Sequence, residues 1–449
     1  MTRIARMTAT TGQTTGSRQG RKRRQRLYPM IRPGRSFSRI FASFAVPCRW
    51  SFAVASAPIR VICVIRGFAP LAVPGAGLGG GSGEAPRNQV CGNDMEGTAM
   101  DKVRIAIIGC GGISRAHVNA HMAEPRSDVI YCVDTNEAMA REKAEAIGCK
   151  WHTDYEAILD EVDAVDICTP VHLHAPMTIR AAEAGKHVMC EKIMARTIEE
   201  AETMIEATDR AGVIFMVAFV LRYRPEFQKL HEMCVSGELG LIHQAFCSTH
   251  MFMAPEGVKP WRTTVEEFPM GALMSHGCHY VDQLQWNVGR IVETVAVGNR
   301  FTLGDIIPGG DDTECMLMRH ENGAVSSYVE SWATPHPMQG IRLEIYGKQA
   351  SARLIYCKDG KRQLWKSDES GMNLVWEFDP DKQDHMDVFG GAKDMHGQIE
   401  HFIECILDGK QPLTHGREAI RPMQAIACAT AAGEDHTMYN VDEWLAGRE

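Results

Sequence analysis

The sequence predicts an α/β chain in which a doubly wound parallel sheet is followed by an α+β domain carrying a large antiparallel sheet. Three observations point there. Short apolar runs alternate with helix-like segments across residues 100–218. A glycine-rich turn, Gly109-Cys-Gly-Gly112, separates the first apolar run from the first helix. From residue 219 onward, strand-like segments follow one another with few helices between them. Alternating strands and helices build parallel sheets, and uninterrupted strand series build antiparallel ones.

At 449 residues the chain is long enough for two or three cores. Its charge is divided unevenly. Residues 1–99 carry 15 Lys/Arg against 3 Asp/Glu, a formal +12, which leaves residues 100–449 at −20. So acidic a body offers no footprint for nucleic acid. The 15 cysteines are odd in number, and none forms a C-x-x-C pair. They read as buried thiols in a reducing compartment, without a structural zinc site.

Residues 1–99 differ from the rest. Arg49, Arg60 and Arg66 interrupt the apolar stretch Ile40–Val73, which excludes a good transmembrane helix. Basic residues before Phe41–Ala57 leave a secretory signal open, with Arg49 inside the apolar run against it. The run Arg21-Lys22-Arg23-Arg24 leaves a nucleic-acid-binding arm open. The working expectation is a disordered or untranslated extension, with translation starting at Met100 and the protein cytoplasmic.

From Met100 the elements can be taken in order. Ile105–Ile108 is a buried strand ending at Gly109, and the chain turns through Gly111 and Gly112 into a helix from Ile113. Glycines permit close backbone approach, and the first helical N–H groups attract an anion such as a pyrophosphate. Ser114 stands where a third glycine would complete G-x-G-x-x-G, so the motif alone also fits any tight α/β turn. The second strand, Asp128–Val133, ends at Asp134, which is placed to hold ribose hydroxyls and to repel a 2′-phosphate. That favours NAD over NADP, while Asp134-Thr-Asn also suits a helix N-cap. A helix Glu137–Ile147, a strand Ala164–Cys168 with Thr169-Pro170, a helix near Ala175–Ala184, a strand Lys186–Cys190, a helix Ile198–Ala211 and a strand Val213–Val217 complete the alternation. Gly109, Asp134, Thr169-Pro170 and Glu191-Lys192 all fall at carboxyl ends of strands, where such sheets bind ligands.

Gly109-Cys-Gly-Gly-Ile-Ser114, Val165-Asp-Ile-Cys-Thr-Pro170 with His174, and Gly185-Lys-His-Val-Met-Cys-Glu-Lys192 resemble the glucose–fructose oxidoreductase, inositol dehydrogenase and rhizopine-catabolism (Gfo/Idh/MocA) family. The resemblance runs over about residues 100–445. It implies a Rossmann domain over 100–218 and an α+β substrate-binding and oligomerisation domain over 219–445. It also implies a homodimer or homotetramer packed through the exposed sheet face. The family's Glu-Lys-Pro appears as Glu191-Lys192-Ile193. A lysine at this strand end can stabilise a substrate oxygen turning towards alkoxide, although a strand-end lysine also commonly points to water.

Arg222-Tyr-Arg-Pro225 resembles the family's crossover, followed by a helix Phe227–Ser236. Strands are expected at Ile242–Met251, Val292–Phe301, Cys315–His320, Ala324–Trp332, Ile341–Tyr346, Ala352–Cys357, Leu364–Lys366 and Leu374–Phe378, then helices at Met395–Leu407 and Arg417–Ala432. Leu273, Gly277, His279 and Asp282 match the family's Leu-x-Asp-x-Gly-x-His-x-x-Asp, with Ser275 in the aspartate position. The resemblance implies that His279 is the general base. Ser275 cannot carry charge, so His276 or Lys192 is expected to compensate. His276, His279 and Asp282 are spaced by three and raise a metal site as a rival, which lacks a further ligand; no metal is expected. His250, Trp261, Arg262, Arg222 and Asp312 are candidate contacts to a polyhydroxylated substrate, and each is equally explained as a solvated surface residue. These residues imply NAD-dependent oxidation or reduction of a sugar, sugar acid, cyclitol or related polyol. Two alternatives stand beside it: bound NAD used for transient oxidation in glycoside cleavage or epimerisation, and a dinucleotide-binding regulatory protein without turnover.

Overall fold

The computed structural model describes residues 102–337, 340–357, 359–379 and 395–448. The expectations for residues 1–99 lie outside them. The first half alternates β1 (Val103–Ile108), α1 (Ser114–Ala123), β2 (Ser127–Val133), α2 (Glu137–Ile147), β3 (Lys150–His152), β4 (Ala164–Ile167), α3 (His174–Glu183), β5 (His187–Cys190), α4 (Ile198–Ala211) and β6 (Phe215–Val217). The six strands form a parallel sheet in the order β3-β2-β1-β4-β5-β6. Helices cover both faces, so the inner strands are buried on both sides instead of alternating, and Ile105–Ile108, Ala164–Ile167 and Val188–Cys190 are apolar but for the buried Asp166. Local signals set the helix limits. Asn136 caps α2 by accepting from Ala138 and Met139 N–H, and Gly148 ends it at a φ of +77°.

A turn over Val220–Tyr223 leads to Pro225 at the first position of α5 (Pro225–Val235). Then come β7 (Ile242–His250), α6 (Ala272–Ser275), α7 (Cys278–Val288), β8 (Ile291–Asn299), β9 (Thr313–His320), β10 (Val325–Ser331), β11 (Ile341–Gly347), β12 (Ser351–Tyr356), β13 (Arg362–Asp368) and β14 (Gly371–Phe378). The chain closes with α8 (His396–Asp408), α9 (Gly416–Glu434), β15 (Tyr439–Asn440) and α10 (Val441–Ala446). The second sheet has nine strands in the order β14-β13-β12-β11-β7-β10-β9-β8-β15. Each expected strand is present within a few residues, while the three-residue β3 and two-residue β15 are too short for a sequence period to reveal.

The second sheet is the large, mostly antiparallel one expected, with one parallel pair, β7 with β10 along Gln244–His250 and Val325–Ser331. The chain leaves β7 through α6 and α7, forms β8 and β9, and returns as β10 running the same way. Such a pairing needs a long crossover, which this excursion supplies. The boundary after residue 218 is also bridged from the C-terminus. Val217 N–H donates to the Thr414 carbonyl at 3.0 Å, Thr414 Oγ1 donates to the Val217 carbonyl at 2.7 Å, and α8 packs on α1.

Beneath β1 and β4 runs a chain of polar side chains sealed from solvent. His121 Nδ1 meets Ser127 Oγ at 2.8 Å, and its Nε2 meets Asp166 Oδ2 at 3.1 Å. The same oxygen meets His117 Nδ1 at 2.7 Å, and His117 Nε2 reaches Glu191 Oε1 at 2.8 Å. Burial alone would lower the basicity of His117, but the Asp166 carboxylate raises it well above the ordinary histidine value. Asp166 is desolvated as well, yet His117 and His121 hold its carboxyl well below the usual range.

The raised histidine stabilises the fold fully below an unfolded pKa of about 6.5, and that gain is lost as pH rises through the folded value. The lowered carboxyl stabilises above about pH 4, and its gain is lost as pH falls through the folded value. Both are complete between these limits. Asp166→Asn is therefore expected to cost about 3–5 kcal/mol near pH 6 in urea unfolding. A loss below about 1 kcal/mol would show that the sheet does not depend on the pair.

Candidate active site

Two neighbouring features occupy the carboxyl edge of the parallel sheet. The first is the glycine turn after β1. A Cβ on Gly109 would stand 2.9 Å from the backbone carbon and oxygen of Cys168, and its φ is +95°, so only glycine fits there. At Gly111 and Gly112 an added Cβ would meet nothing within 4 Å, leaving the turn's outer side open above the N-terminus of α1. Ser114, in the third-glycine position, is fully buried and donates from Oγ to the Gly111 carbonyl at 2.7 Å. It braces the turn. Asp134 ties β2 to the same turn, accepting from Cys110 N–H and Asn136 N–H at 2.8 Å each. Open glycines, a helix N-terminus and a carboxylate at the end of β2 fit a dinucleotide.

The second feature is a cavity of about 660 Å³ between this edge and the second sheet. Ile113, Thr169, His174, Glu191 and Lys192 line it from the first domain, and Ser275, His276, His279, Trp261, Arg262 and His250 from the second. The Lys192–Ile193 peptide is cis. Lys192 Nζ donates to the Ser275 carbonyl at 2.9 Å, while its backbone N–H donates to Glu191 Oε2 at 3.1 Å. His174 is buried with Nδ1 2.8 Å from the Ile193 carbonyl and Nε2 3.0 Å from the Thr169 carbonyl. It supports the loops on either side and has no ring nitrogen left for a ligand.

Around Ser275–His279 the second domain supplies acid–base groups. His276 Nδ1 lies 3.0 Å from Glu330 Oε1. Glu330 is fully buried on β10 and also accepts from Tyr328 and Thr249 hydroxyls. The His279 Nδ1 is buried without a partner among the described residues. Burial drives the basicity of His279 well below the ordinary value, and Lys192, His276 and Arg224 push it further. Glu314, cross-strand from Glu330, accepts from Leu273 N–H at 2.7 Å at the start of α6. Burial pushes its carboxyl up to about 8, with Asp311 and Glu330 adding to the shift.

Some candidates from the sequence do not come together. Asp282 turns away from the two histidines and takes Arg222 in a two-point ion pair, at 2.7 and 2.9 Å. The three-residue spacing therefore assembles no metal set, and Arg222 is spent on Asp282 and the Leu413 carbonyl, outside the cavity wall. Asp312 accepts from Phe301, Thr302 and Leu303 N–H and caps a loop. Pro170 precedes the turn Val171–Leu173 and is not among the cavity residues. Sequence reading missed Glu330, Glu314, Thr249, Tyr280 and Tyr356. Glu330 had a detectable signal: in the alternation of β10 it shares a face with Ser326 and Tyr328, and a carboxylate in an inward register is unusual.

A nucleotide-shaped turn joined to a cavity with a lysine and two histidines defines a dinucleotide-dependent oxidoreductase. The comparisons agree. Residues 103–219 match the model for the oxidoreductase family with an NAD-binding Rossmann fold, and residues 227–353 match the GFO/IDH/MocA C-terminal domain. The chain belongs to the Gfo/Idh/MocA family. It is 31% identical over 318 residues to levoglucosan dehydrogenase of Pseudarthrobacter phenanthrenivorans, covering 62% of this chain and 80% of that one. It is 25% identical over 337 residues to the NAD-dependent scyllo-inositol 2-dehydrogenase of Bacillus subtilis, covering 73% and 93%. A solved levoglucosan dehydrogenase in complex with NADH and L-sorbose superposes with a TM-score of 0.69 at 25% identity, covering 76% and 99%.

Asp134 can be tested through the cofactor it admits. Asp134→Ser is expected to raise the Kd for NAD by about tenfold, equivalent to ~1.4 kcal/mol, and to narrow its preference over NADP. Both are read from quenching of protein fluorescence during titration. An unchanged NAD to NADP ratio would remove Asp134 from cofactor selection.

Proposed function

We propose that this chain is an NAD-dependent dehydrogenase acting on a secondary hydroxyl of a sugar, sugar acid, cyclitol or related polyol. The observation that carries the reading is the meeting of Lys192 from the end of β5 with Ser275–His279 in one cavity beside the glycine turn. The turn residues Gly109, Gly111, Gly112 and Ser114 with Asp134 would hold the dinucleotide, which when bound supplies the acceptor for the substrate's hydride. The protein handles the proton. Lys192 has three N–H donors and gives one to Ser275, so two remain for a substrate oxygen gaining negative charge. Of the two cavity histidines, one receives the hydroxyl proton and the other orients the hydroxyl.

Relatives named for levoglucosan, D-apiose and scyllo-inositol support a polyhydroxylated substrate. Arg262 narrows the field. It lies against Trp261 and Phe268, 4.9 and 5.1 Å from their ring centres, and among the described residues its Nε is buried without a partner and no carboxylate pairs with it. A desolvated guanidinium in a cavity wall suits a carboxylate, so sugar acids come first among the substrates.

The outer face of the second sheet supports a homodimer or homotetramer, because Val297, Leu317 and Val325 are exposed there. Among the described residues no helix is long and apolar enough to cross a membrane. The described cysteines are all free thiols, which supports a cytoplasmic enzyme.

The test is formation of reduced nicotinamide across a panel of sugar acids, cyclitols and neutral sugars with NAD. Lys192→Ala is expected to lower kcat by about 10²–10³-fold on the best substrate, with NAD affinity unchanged. Sugar release without net reduced nicotinamide would instead support transient oxidation by bound NAD. Binding without turnover of any member would support a regulatory protein.

The acid side of the pH profile gives a second check. His279 must be neutral to accept a hydrogen bond from the substrate hydroxyl, and its depressed basicity keeps it neutral down through ordinary histidine pH. Any acid limb belonging to His279 is therefore expected below about pH 6.5. A limb above that value that disappears in His279→Ala would contradict the depressed basicity.

A further inference from the structure

The family pattern places an aspartate where this chain has Ser275, and nothing on α6 or α7 replaces its charge: the nearest acidic residue, Asp282, is bound by Arg222. A carboxylate does reach the site, but from the other direction. Glu330 rises from the inner face of β10 and meets the Nδ1 of His276, at 3.0 Å through Oε1 and 3.2 Å through Oε2. We propose that Glu330 and His276 form the proton-accepting dyad of the reaction, with His276 Nε2 as the base and Glu330 as the positioning residue that replaces the missing aspartate. The proposal rests on the dehydrogenase reading above and assigns its proton.

The chemistry follows from the hydrogen bonds. Glu330 is fully buried and takes hydroxyl donors from Tyr328 and Thr249, an arrangement that satisfies an ionised carboxylate. A carboxylate only accepts, so the hydrogen between it and His276 belongs to Nδ1, and the lone pair of the neutral imidazole is on Nε2. His276 is on the cavity wall, with about a quarter of its side chain exposed. In oxidation the substrate's O–H bond would break with its proton joining Nε2, the adjacent C–H bond would break with its hydride passing to the acceptor that a bound nicotinamide supplies, and a C=O bond would form. The imidazolium is then balanced by Glu330, which stays ionised. In reduction the same proton returns.

His279 cannot fill this role as well. It is half-buried like His276, but among the described residues its buried Nδ1 has no partner and no carboxylate lies against its ring, and Lys192 and His276 both oppose a positive charge on it. Its ring stands edge-on to that of His276, with centres 6.4 Å apart. It is placed to orient the substrate hydroxyl as a neutral hydrogen-bonding group. Glu330 from β10 meets the His276 ring nitrogen and His279 and Tyr280 from α7 face its ring, while Tyr328 and Thr249 contact Glu330 and Lys192 Nζ reaches the neighbouring Ser275 carbonyl. Of these, Glu330 is the one placed against its ring nitrogen as a negative charge.

The test compares Glu330→Gln with wild type on the best substrate of the panel. The expected result is a fall in kcat of about 10²–10³-fold, with the Kd for NADH unchanged. Adding Ser275→Asp to Glu330→Gln should recover at least about tenfold of the loss by restoring a carboxylate at the family position.

If Glu330→Gln loses its cooperative thermal transition, His276→Gln, at a half-buried position, is expected to show the same fall in kcat with NADH binding intact. The proposal is overturned if either folded variant keeps kcat within about threefold of wild type, or if Ser275→Asp recovers none of the activity lost in Glu330→Gln. Should wild type reduce no nicotinamide with any polyol, the dehydrogenase reading fails. The dyad is then judged by the hydrogen-bonded Nδ1 proton of His276 in NMR, whose downfield signal must move upfield in Glu330→Gln.

Discussion

The turn between α6 and α7 depends on two carboxylates that water hardly reaches. Glu314 accepts from Leu273 N–H at the start of α6, and Glu330 holds His276 after its end. They face one another across β9 and β10, where like charges are unfavourable. The chain resolves the conflict by keeping them in different states. Glu314, with its carboxyl raised to about 8, is uncharged at neutral pH, while Glu330 has two hydroxyl donors and a histidine around it. One buried carboxyl serves as a neutral anchor and the other as a charge, an environment-driven division of two like groups. Everything from Ala272 to His279, and so the second-domain wall of the cavity, is hung on that pair.

Much of the fold was legible because its signals are local. The apolar runs at Ile105–Ile108 and Val188–Cys190, the glycines ending α2 and α4, and the Pro225 start of α5 each act within a few residues. The parallel pairing of β7 with β10 was not legible. The two segments lie far apart in sequence, and each alternates as an antiparallel strand would. Within the cavity wall, Lys192 and His279 fall on motif positions, whereas Glu330 lies in no motif and carried only the faint signal of a carboxylate in the inward register of β10. Arg222 shows the opposite error. Its position beside the crossover made it a substrate candidate, but its guanidinium is needed to neutralise Asp282 in the core. A long cationic side chain reveals its partner only through tertiary contacts.

The two domains approach the cavity with similar construction. Under Lys192, Glu191 is held by His117, which is held in turn by Asp166 and the β1–β4 sheet. Under His276, Glu330 is held by Tyr328 and Thr249 of the second sheet. Each cavity residue thus rests on a buried polar partner that is itself fixed by a strand. Side chains supported this way keep their geometry without drawing on the substrate, which is what preorganised catalysis requires.

Between these two supports, the contact from Lys192 Nζ to the Ser275 carbonyl is a direct polar link across the cavity. An aspartate in place of Ser275 would offer this lysine a charged partner. A backbone carbonyl offers only a dipole, which holds Nζ in place while leaving more of its charge for a substrate oxygen. Moving the carboxylate to Glu330 therefore has two consequences that belong together. It puts the negative charge behind the proton acceptor, where the imidazolium forms, and removes it from beside the lysine, where it would compete with the developing alkoxide. Ser275 is then not a lost catalytic group but the condition under which Lys192 and His276 can act on the two halves of one hydroxyl.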